Sequence, residues 1–336
     1  MFELMKKVIR IRQSIIFAAT GGFCVISAFI IYTLEPETFP NPFIGFWWVM
    51  TTITTVGFGD YVPKTVAGQT FGIFLYVTGI ALIGVMIGKI VEAFSTYQTM
   101  KEEGKLDYKG KKHFVIVGWS SKTFKTIEEL LLINKSNIVI IDTKQQAPCS
   151  HARISYIQGD PTSRETLERA NILYATSVCI FASDPIHNSV EADGKTLLIA
   201  TAIEHFAKER NHPIYTIAEI LNEKHIPNFK HANIDEYILS NEVFSDLMAQ
   251  SAIYNGSTKL FMQLLHRKQG DDIWEIPKKL DWCVYDDAFC ALKKLGATLI
   301  ADHEDFSIVR RLQDPIPVDA KLYIICDETT YRKIIS

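Results

Sequence analysis

Two long apolar stretches stand out in the first third of the chain. Residues 13–34 carry no charge, and residues 66–97 carry only Lys89 and Glu92. A helix rises about 1.5 Å per residue, so either stretch is long enough to cross a hydrocarbon core of about 30 Å. A cleaved signal peptide is the alternative for the first stretch, but no small-residue cleavage pattern follows it. The pattern therefore predicts an outer and an inner membrane helix.

The segment between the two predicted membrane helices is too short and too polar to cross the membrane a third time. Asn41 and Pro42 can start a short helix there. Irregular backbone at membrane depth is stable only where protein or a water-filled path surrounds it. We therefore expect residues 42–60 to form a short helix and a loop that line such a path.

Positive charge accumulates outside the two membrane stretches rather than between them. The connecting segment carries Glu35, Glu37, Asp60 and a single lysine, Lys64. Lys and Arg are enriched in the cytoplasmic segments of membrane proteins. We therefore expect residues 1–97 to form a domain of the plasma membrane with both chain termini in the cytoplasm. The flanking basic residues are Lys6, Lys7, Arg10, Arg12, Lys89, Lys101, Lys105, Lys109, Lys111 and Lys112.

The remaining two thirds of the chain has the pattern of a globular α/β protein. Residues 98–112 are charged and contain two glycines, which is typical of a linker. Short apolar strands then alternate with amphipathic helices over residues 113–240, which predicts a parallel, doubly wound, Rossmann-like sheet. A helical pair, residues 241–268, and a small α/β C-terminal lobe, residues 269–336, complete the predicted division.

Individual elements follow from the same periodicity. The helical spacing of apolar residues predicts helices at residues 194–207 and 223–232. An apolar run predicts a strand at residues 306–310 of the small lobe. The first of these assignments places Asp193 just before a helix.

Composition argues against several classes of function. The net charge of -3 and the lack of a basic stripe interleaved with aromatic residues argue against nucleic acid as a partner. Six cysteines without CxxC spacing predict reduced thiols rather than a disulfide framework or a zinc site. The sequence contains no convincing set of nucleophile, base and orienting residue, so we do not expect an enzyme.

A run of threonines and glycines lies inside the segment that lines the predicted path. Gly57 and Gly59 can adopt backbone angles that other residues avoid, so consecutive carbonyls here can point into one lumen. Four such segments would replace the water shell of a dehydrated cation. Trp47 is expected to donate its indole N–H to Asp60 at the outer mouth. The carbonyls belong to Thr55, Val56, Gly57 and Phe58.

This stretch resembles the pore loop of potassium channels, whose pattern is T-x-x-T-x-G-(Y/F)-G-D. The resemblance implies a selectivity filter supported by Thr52, Trp47 and Asp60, and a homotetramer around permeant K⁺. It also implies a bending glycine at Gly79 and a constriction near Gly84, although glycines in membrane helices also serve close packing. The implied filter residues are Thr55, Val56, Gly57, Phe58 and Gly59.

Residues 112–336 resemble the RCK family, the regulators of potassium conductance. The resemblance rests on His-Phe-Val-Ile-Val-Gly-Trp-Ser from residue 113, Gly-Asp-Pro-Thr from residue 159 and Ile-Ala-Glu from residue 217. It implies that such modules pair through residues 241–268 and assemble into a gating ring. The ring is octameric if additional soluble RCK copies join the four that belong to the pore.

The carboxyl ends of the predicted strands carry candidates for nucleotide binding. Gly118, Ser120 and Thr123 lie in the first strand-to-helix turn, although the full G-x-G-x-x-G pattern is absent. Asp142 ends the second strand, where an acidic residue commonly binds a ribose hydroxyl, and Asp160 follows the third strand. An adenine nucleotide such as NAD, ADP or ATP is therefore one candidate regulator.

Ca²⁺ is the other candidate regulator. The resemblance implies a site built from an Asp before the helix of the fourth unit and two Glu spaced i, i+2, which places Asp193 and Glu219 in two of the three positions. Leu221 occupies the third, and calcium prefers about six to eight oxygen ligands. A solvated face is therefore the competing interpretation of the two carboxylates.

The membrane stretches, the pore loop and the α/β module together predict a ligand-gated, potassium-selective channel. A soluble-type nucleotide-sensing regulator of a potassium transport system would explain only the second part of the chain, and an NAD-dependent oxidoreductase only the sheet. Neither alternative explains residues 52–60. A less selective cation channel is the remaining alternative.

Overall fold

The computed structural model describes residues 13–133, 135–182, 188–265 and 270–335. Contacts divide the chain into two compact units, Met1–Glu102 and Glu103–Ser336. The basic residues Lys6, Lys7, Arg10 and Arg12, which entered the topology prediction, lie outside the described residues. Residues 266–269, where the predicted helical pair meets the small lobe, also lie outside them.

Three helices form the described part of the first unit, residues 13–102. Helices α1 (Gln13–Leu34) and α3 (Val66–Glu102) are long and apolar enough to cross a membrane, in agreement with the two predicted spans. Helix α2 (Pro42–Ile53) lies between them in the sequence and is too short to cross. The Asn41 side chain caps α2 and Pro42 occupies its first turn, as the sequence predicts.

The core of the first unit forms where α1, α2 and α3 meet. Gly45 brings α2 close to α1, since an added Cβ would lie 2.6 Å from the Ala28 carbonyl oxygen. Much of the apolar surface of α3 is exposed in the single chain, with Val77 71% and Phe94 73% exposed. An apolar helix surface that the same chain does not cover is suited to lipid or to other copies. The buried core residues are Cys24, Ile31, Phe39, Trp48, Val49, Ile53 and Leu75.

A six-stranded parallel sheet forms the centre of the second unit. Its strands are β1 (His113–Val117), β2 (Ile138–Asp142), β3 (Ile154–Gln158), β4 (Ala175–Ile180), β5 (Thr216–Ile220) and β6 (Glu236–Leu239). They lie in the order β3-β2-β1-β4-β5-β6 and all pairs are parallel. The strand order reverses between β1 and β4, which is the doubly wound arrangement that the sequence predicts.

Apolar cores lie on both faces of this sheet. Val115 and Val117 belong to one core, whereas Ile116 between them belongs to the other. Alternate residues of a strand point to opposite faces, and strands buried on both faces are characteristic of parallel sheets. The helices that pack against the sheet are α4 (Ser121–Ile133), α5 (Arg164–Arg169), α6 (Ser189–Glu209) and α7 (Ile226–His231).

A helical pair and a small α/β lobe follow the sheet. The pair consists of α8 (Ser240–Ile253) and α9 (Ser257–Leu265), and no residue of either helix is buried in the single chain. The lobe contains β7 (Asp272–Pro277), α10 (Tyr285–Leu295), β8 (Thr298–Asp302), β9 (Lys321–Cys326) and α11 (Glu328–Ile335). Its strands form an antiparallel sheet in the order β7-β9-β8 around a separate apolar core.

The inner helix is longer than predicted. Helix α3 continues to Glu102, so residues 98–102 of the predicted linker are helical. Gln98 Nε2 donates to Glu102 Oε1 at 2.6 Å, and this i, i+4 contact stabilises the last helical turn. Gly104, with φ of +63°, follows the end of the helix.

The start of α6 also differs from the prediction. The helix begins at Ser189 rather than at residue 194. The Asn188 side chain accepts a hydrogen bond from the Val190 N–H at 2.9 Å, and this cap starts the helix early. Asp193 therefore lies inside α6 and not before it.

Two further predicted elements have a different structure. The helix expected at residues 223–232 is divided into a 3₁₀ turn, Glu223–His225, and α7, whose first turn contains a proline. The strand expected at residues 306–310 is a 3₁₀ helix, because the Asp305 carboxylate accepts the Ser307 N–H at 2.7 Å and turns the chain at once.

Candidate functional site

The backbone after α2 has an unusual alternation of handedness. Thr55, Gly57 and Gly59 have φ values of +60°, +52° and +75°, whereas Val56 and Phe58 between them do not have positive φ. In a strand, successive carbonyls point to opposite sides, and a change of handedness at every second residue brings them to the same side. The backbone therefore has the form expected of a carbonyl-lined ion path.

Sequence reasoning assigned positive φ to the two glycines and missed Thr55. A positive φ is uncommon for a residue other than glycine. Here the carbonyl oxygens at the end of α2 hold the turn: the Thr55 N–H donates to Thr52 O at 3.1 Å and the Val56 N–H to Thr51 O at 2.9 Å. The Gly57 N–H also donates to Thr51 O, at 3.1 Å. The C-terminus of α2 thus shapes the start of the predicted filter.

A single indole supports the outer end of the predicted filter. Trp47 Nε1 donates to Asp60 Oδ2 at 2.9 Å, the hydrogen bond predicted from the sequence. The same indole stacks on the Phe58 ring with centroids 5.7 Å apart and planes within 4° of parallel. Asp60 Oδ1 in turn accepts the Tyr61 N–H at 3.1 Å. These contacts turn the Phe58 side chain toward Trp47 and attach residues 58–60 to α2.

A buried carboxylate that sequence reasoning did not single out joins the two membrane helices. Glu35 follows the end of α1, is only 4% exposed, and accepts the backbone N–H groups of Lys64 and Thr65 at 2.9 and 2.8 Å. These N–H groups precede the first residue of α3, where the helix dipole favours a negative charge. A Cβ on Gly68 would overlap the carboxylate. The only available signal was an acidic residue at the end of an apolar stretch.

The two glycines assigned to gating have different surroundings. An added Cβ on Gly79 would lie 2.7 Å from Ile53 Cγ1, at the end of α2. Gly84 has no atom within 4 Å of an added Cβ. Of the two roles weighed for Gly79, the structure supports close packing, and its role as a hinge stays a prediction.

Three nucleotide-binding candidates lie at one edge of the parallel sheet. Gly118, Asp142 and Asp160 are at or just after the carboxyl ends of β1, β2 and β3, which are neighbours in the sheet. Gly118 adopts φ of +88°, and its N–H donates to Ile141 O at 3.0 Å. This edge is where doubly wound proteins bind ligands.

The polar side chains at this edge already have local partners. Ser120 Oγ accepts the Thr123 N–H at 3.2 Å and caps α4, and the Thr123 side chain is fully buried. Asp142 Oδ1 accepts the Lys144 N–H at 3.0 Å. Asp160 Oδ1 accepts the N–H and hydroxyl of Thr162 at 2.9 and 2.8 Å, which hold the pKa of Asp160 below its usual value.

The two calcium candidates have separate sets of protein partners. Asp193 is 2% exposed and accepts the N–H groups of Leu221 and Asn222 at 2.9 and 3.1 Å, and His225 Nδ1 lies 2.6 Å from Oδ2. Glu219 accepts Lys122 Nζ at 2.6 Å and the Ala182 N–H at 3.0 Å. Among the residues that the structure describes, no group of three His, Cys, Asp or Glu is placed to hold a metal ion. This geometry gives the calcium prediction no support.

Models of two known protein families match the two parts of the chain. The family model described as "Ion channel" matches residues 20–96, which contain α2, the predicted filter and most of α1 and α3. The model of the TrkA-N domain matches residues 114–240, which contain the six-stranded sheet except for its first residue, His113.

Individual proteins with similar sequences cover both parts. The putative potassium channel protein YugO of Bacillus subtilis is 35% identical over 230 residues, which are 68% of this chain and 69% of YugO. The calcium-gated potassium channel TvoK of Thermoplasma volcanium is 29% identical over 239 residues, which are 70% of this chain and 67% of TvoK.

Two solved structures are similar to this chain at lower sequence identity. The gating ring of human SLO3 is 16% identical, with a TM-score of 0.52, over 66% of this chain and 46% of that chain. The GsuK channel bound to NAD is 15% identical, with a TM-score of 0.46, over 94% of this chain and 57% of that one. This chain therefore spans less than two thirds of either solved chain. The sequence relationship to YugO and the two family matches place this chain in the family of potassium channels that join an ion-channel pore to an RCK (TrkA-N) domain.

Proposed function

We propose that this chain is the subunit of a ligand-gated channel that conducts K⁺ passively through the plasma membrane. The observation that carries the proposal is the alternating backbone at Thr55, Gly57 and Gly59, which directs consecutive carbonyls to one side. Carbonyl oxygens at this spacing can replace the water shell of K⁺, and passage then proceeds by repulsion between ions at successive sites.

We propose a tetramer on the basis of the same geometry. One chain supplies one strand of carbonyls, and residues 54–60 are largely exposed in the single chain. A closed ring of four strands would surround the ion and cover this surface. The exposed apolar face of α3 supports the same assembly, since it requires lipid or neighbouring subunits. Both termini then lie in the cytoplasm, as the distribution of basic residues predicts.

The parallel sheet is the proposed sensor. Its carboxyl edge, with Gly118, Asp142 and Asp160, is the proposed position for an adenine nucleotide such as NAD, ADP or ATP. Ca²⁺ is the competing regulator, supported by the name of the relative TvoK and by residues matching the family pattern at Asp193 and Glu219. Asp193 and Glu219 are buried among their protein partners, whereas Asp160 is exposed at the sheet edge, so the nucleotide is the better candidate.

The helical pair α8 and α9 is the proposed contact between sensor modules. Phe244 and Met248 of α8 are 65% and 58% exposed, and Leu260 and Leu265 of α9 are 58% and 69% exposed. Exposed apolar side chains in this number favour burial against another module. Paired modules would assemble into a gating ring, with eight modules if soluble RCK copies join, and a change in their angle would act on α3.

Reconstitution tests the proposed function. The purified full chain in liposomes should pass K⁺ far faster than Na⁺, and one of calcium chloride, NAD, ADP or ATP should change the K⁺ flux. Gly57→Ala should abolish most flux, because a left-handed backbone costs about 1–2 kcal/mol per residue with a side chain. Gly21→Ala, with no atom within 4 Å of the new Cβ, is the matched control. Equal K⁺ and Na⁺ flux would overturn the proposed selectivity.

A further inference from the structure

The segment that connects α3 to β1 is attached to the sheet domain along its length. We call residues 104–112 the strap. Gly104 O accepts the Gln158 N–H at 3.0 Å at one end, and the Lys112 N–H donates to Tyr174 O at 2.8 Å at the other. Between them, Gly110 O accepts Asn171 Nδ2 at 2.7 Å. The strap is therefore an ordered part of the second unit, although its charge and its glycines predict a linker.

One arginine side chain forms hydrogen bonds with the first half of the strap. Arg169 is the last residue of α5, and its side chain is only 20% exposed. Its guanidinium donates to Gly104 O through Nη2, to Gln158 O through Nη1 at 3.0 Å, and to Asp107 Oδ1 through Nε at 3.3 Å. The flat guanidinium directs several donors at once, which a lysine ammonium at the end of a flexible stem cannot reproduce. Arg169 thus joins the strap to the end of β3.

The backbone of Arg169 and a tyrosine of the strap complete this attachment. The Tyr108 N–H donates to Arg169 O at 2.8 Å. The half-buried Tyr108 ring packs on the core, with its centroid 4.6 Å from that of the fully buried His113. Its hydroxyl accepts Asn137 Nδ2 at 3.1 Å. Arg169 therefore binds the strap through both its backbone carbonyl and its guanidinium.

The packing of the strap against β3 leaves no space for a side chain at position 104. This residue has φ of +63°, and an added Cβ would overlap the backbone nitrogen of Gln158. A side chain at this position would therefore push the strap away from β3 and out of reach of Arg169. Gly104→Ala and a substitution of Arg169 are independent ways to release the same contact.

We propose that Arg169 is a positioning residue for gating. It fixes the strap to the sheet domain, so that a displacement of this domain is transmitted directly to α3. The helix ends at Glu102 and the first fixed strap residue is Gly104. Two extended residues span about 7 Å at most, so only small displacements of the sheet domain could be absorbed before the helix is pulled. The inference rests on the proposed ligand gating, and it names the residues through which the force passes.

The test separates ligand binding from its effect on flux. Full-length Arg169→Gln, Arg169→Lys and Gly104→Ala channels would be compared in liposomes with calcium chloride, NAD and ADP as probes. We expect the probe-induced change in K⁺ flux to fall about fivefold in all three, while the Kd of the probe for the channel stays within about twofold. Loss of binding in parallel with loss of flux would indicate a merely structural role and would overturn the proposal.

Arg164→Gln is the matched control. Arg164 lies in the same helix, is 59% exposed, and pairs with Glu168 and Glu209 at 3.4 Å. It should leave both flux and binding unchanged. An unchanged response to the probe in Arg169→Gln would contradict the proposal.

A second readout distinguishes failure of this inference from failure of the proposed function. If no probe changes the flux of the unmodified channel, ligand gating by these probes is wrong. The strap is then judged by basal K⁺ flux and by hydrogen exchange of the Tyr108 amide. Arg169→Gln should alter the basal flux and speed the exchange, and Arg164→Gln should do neither. Basal flux equal to that of the unmodified channel would overturn the role of Arg169.

Discussion

Glu35 Oε1 accepts the Thr65 hydroxyl at 2.5 Å and the Thr65 backbone N–H at 2.8 Å. Glu35 lies just after α1 and Thr65 just before α3, so this pair fixes the end of one membrane helix to the beginning of the other. Hydrogen bonds to a charged group are about twice as strong as those between neutral groups.

Glu35→Gln should therefore destabilise the pore unit. The amide keeps one acceptor oxygen but turns an NH₂ group toward backbone donors, at a cost of about 2 kcal/mol. We expect a lower melting temperature of the purified channel and earlier loss of K⁺ flux on heating. Glu37→Gln is the control, because Glu37 is exposed in the same loop. Equal melting temperatures for both variants would show that the Glu35 contacts do not stabilise the pore.

Gly79→Ala should disturb the pore more than Gly84→Ala. The new methyl group at position 79 would press on Ile53, and overpacking of this kind costs about 1–3 kcal/mol. The space around Gly84 is open, so alanine there should stabilise the helix slightly. We expect Gly79→Ala to change the open probability in single-channel recordings while K⁺ over Na⁺ selectivity persists.

The thermal stability of these two variants also distinguishes close packing from bending as the role of Gly79. Thermal stability should fall in Gly79→Ala and not in Gly84→Ala. If Gly79→Ala keeps full stability but changes the open probability, the hinge role predicted from the sequence explains the result better than close packing.

Asp193→Asn should destabilise the sheet domain in the absence of calcium. The carboxylate accepts two backbone N–H groups and contacts His225, and asparagine offers one acceptor oxygen instead of two. The unmatched donor costs about 2 kcal/mol. Thermal unfolding of the full chain in a calcium chelator measures this effect, with the exposed Glu191→Gln in the same helix as control.

The calcium hypothesis predicts the opposite pattern. A calcium ligand at position 193 would leave Asp193→Asn as stable as the unmodified chain in the chelator, and the variant would lose stabilisation by added calcium. That result would restore Asp193 as a metal ligand.

The small lobe should lose stability at alkaline pH through Tyr285. Its hydroxyl donates to Asp302 Oδ2 at 2.6 Å, and burial together with the Asp302 charge raises the pKa of Tyr285 to about 12. An unfolded chain releases this proton near pH 10. The contribution of Tyr285 is therefore complete below about pH 10 and is lost as the pH rises toward 12.

Tyr285→Phe tests this pH dependence. The variant should be less stable at neutral pH and should lose less additional stability between pH 10 and 12 in thermal unfolding. Tyr331→Phe is the control in the same lobe, since its ring stacks on Trp274 with centroids 4.0 Å apart. An alkaline transition of equal size in Tyr285→Phe would rule out this residue as its source.

Much of the predicted filter could be derived from the sequence because its signals are local. The two apolar stretches, the cap at Asn41 and the glycines at 57 and 59 each act over a few residues. The hydrogen bond from Trp47 to Asp60 was also predictable, since the two residues are only 13 positions apart in the sequence. The left-handed conformation of Thr55 was not, because the C-terminal carbonyls of α2 impose it on a residue with no preference for it.

Errors in the second unit arose where a side chain overrode the apolar pattern. Asn188 starts α6 early and Asp305 begins a 3₁₀ helix, although the residues that follow have the periodicity of a later helix and of a strand. Capping and Asx-turn hydrogen bonds of this kind compete directly with the backbone pattern.

The sequence by itself determined the two membrane helices, the motif of the predicted filter and the doubly wound sheet, because hydrophobic periodicity and motif spacing depend on neighbouring residues. Only the tertiary structure decided how Glu35 joins Lys64 and Thr65 across 29 and 30 residues, and how Arg169 reaches Gly104 across 65. Contacts over such separations depend on how the elements pack, and a single chain's sequence carries no local signal for them.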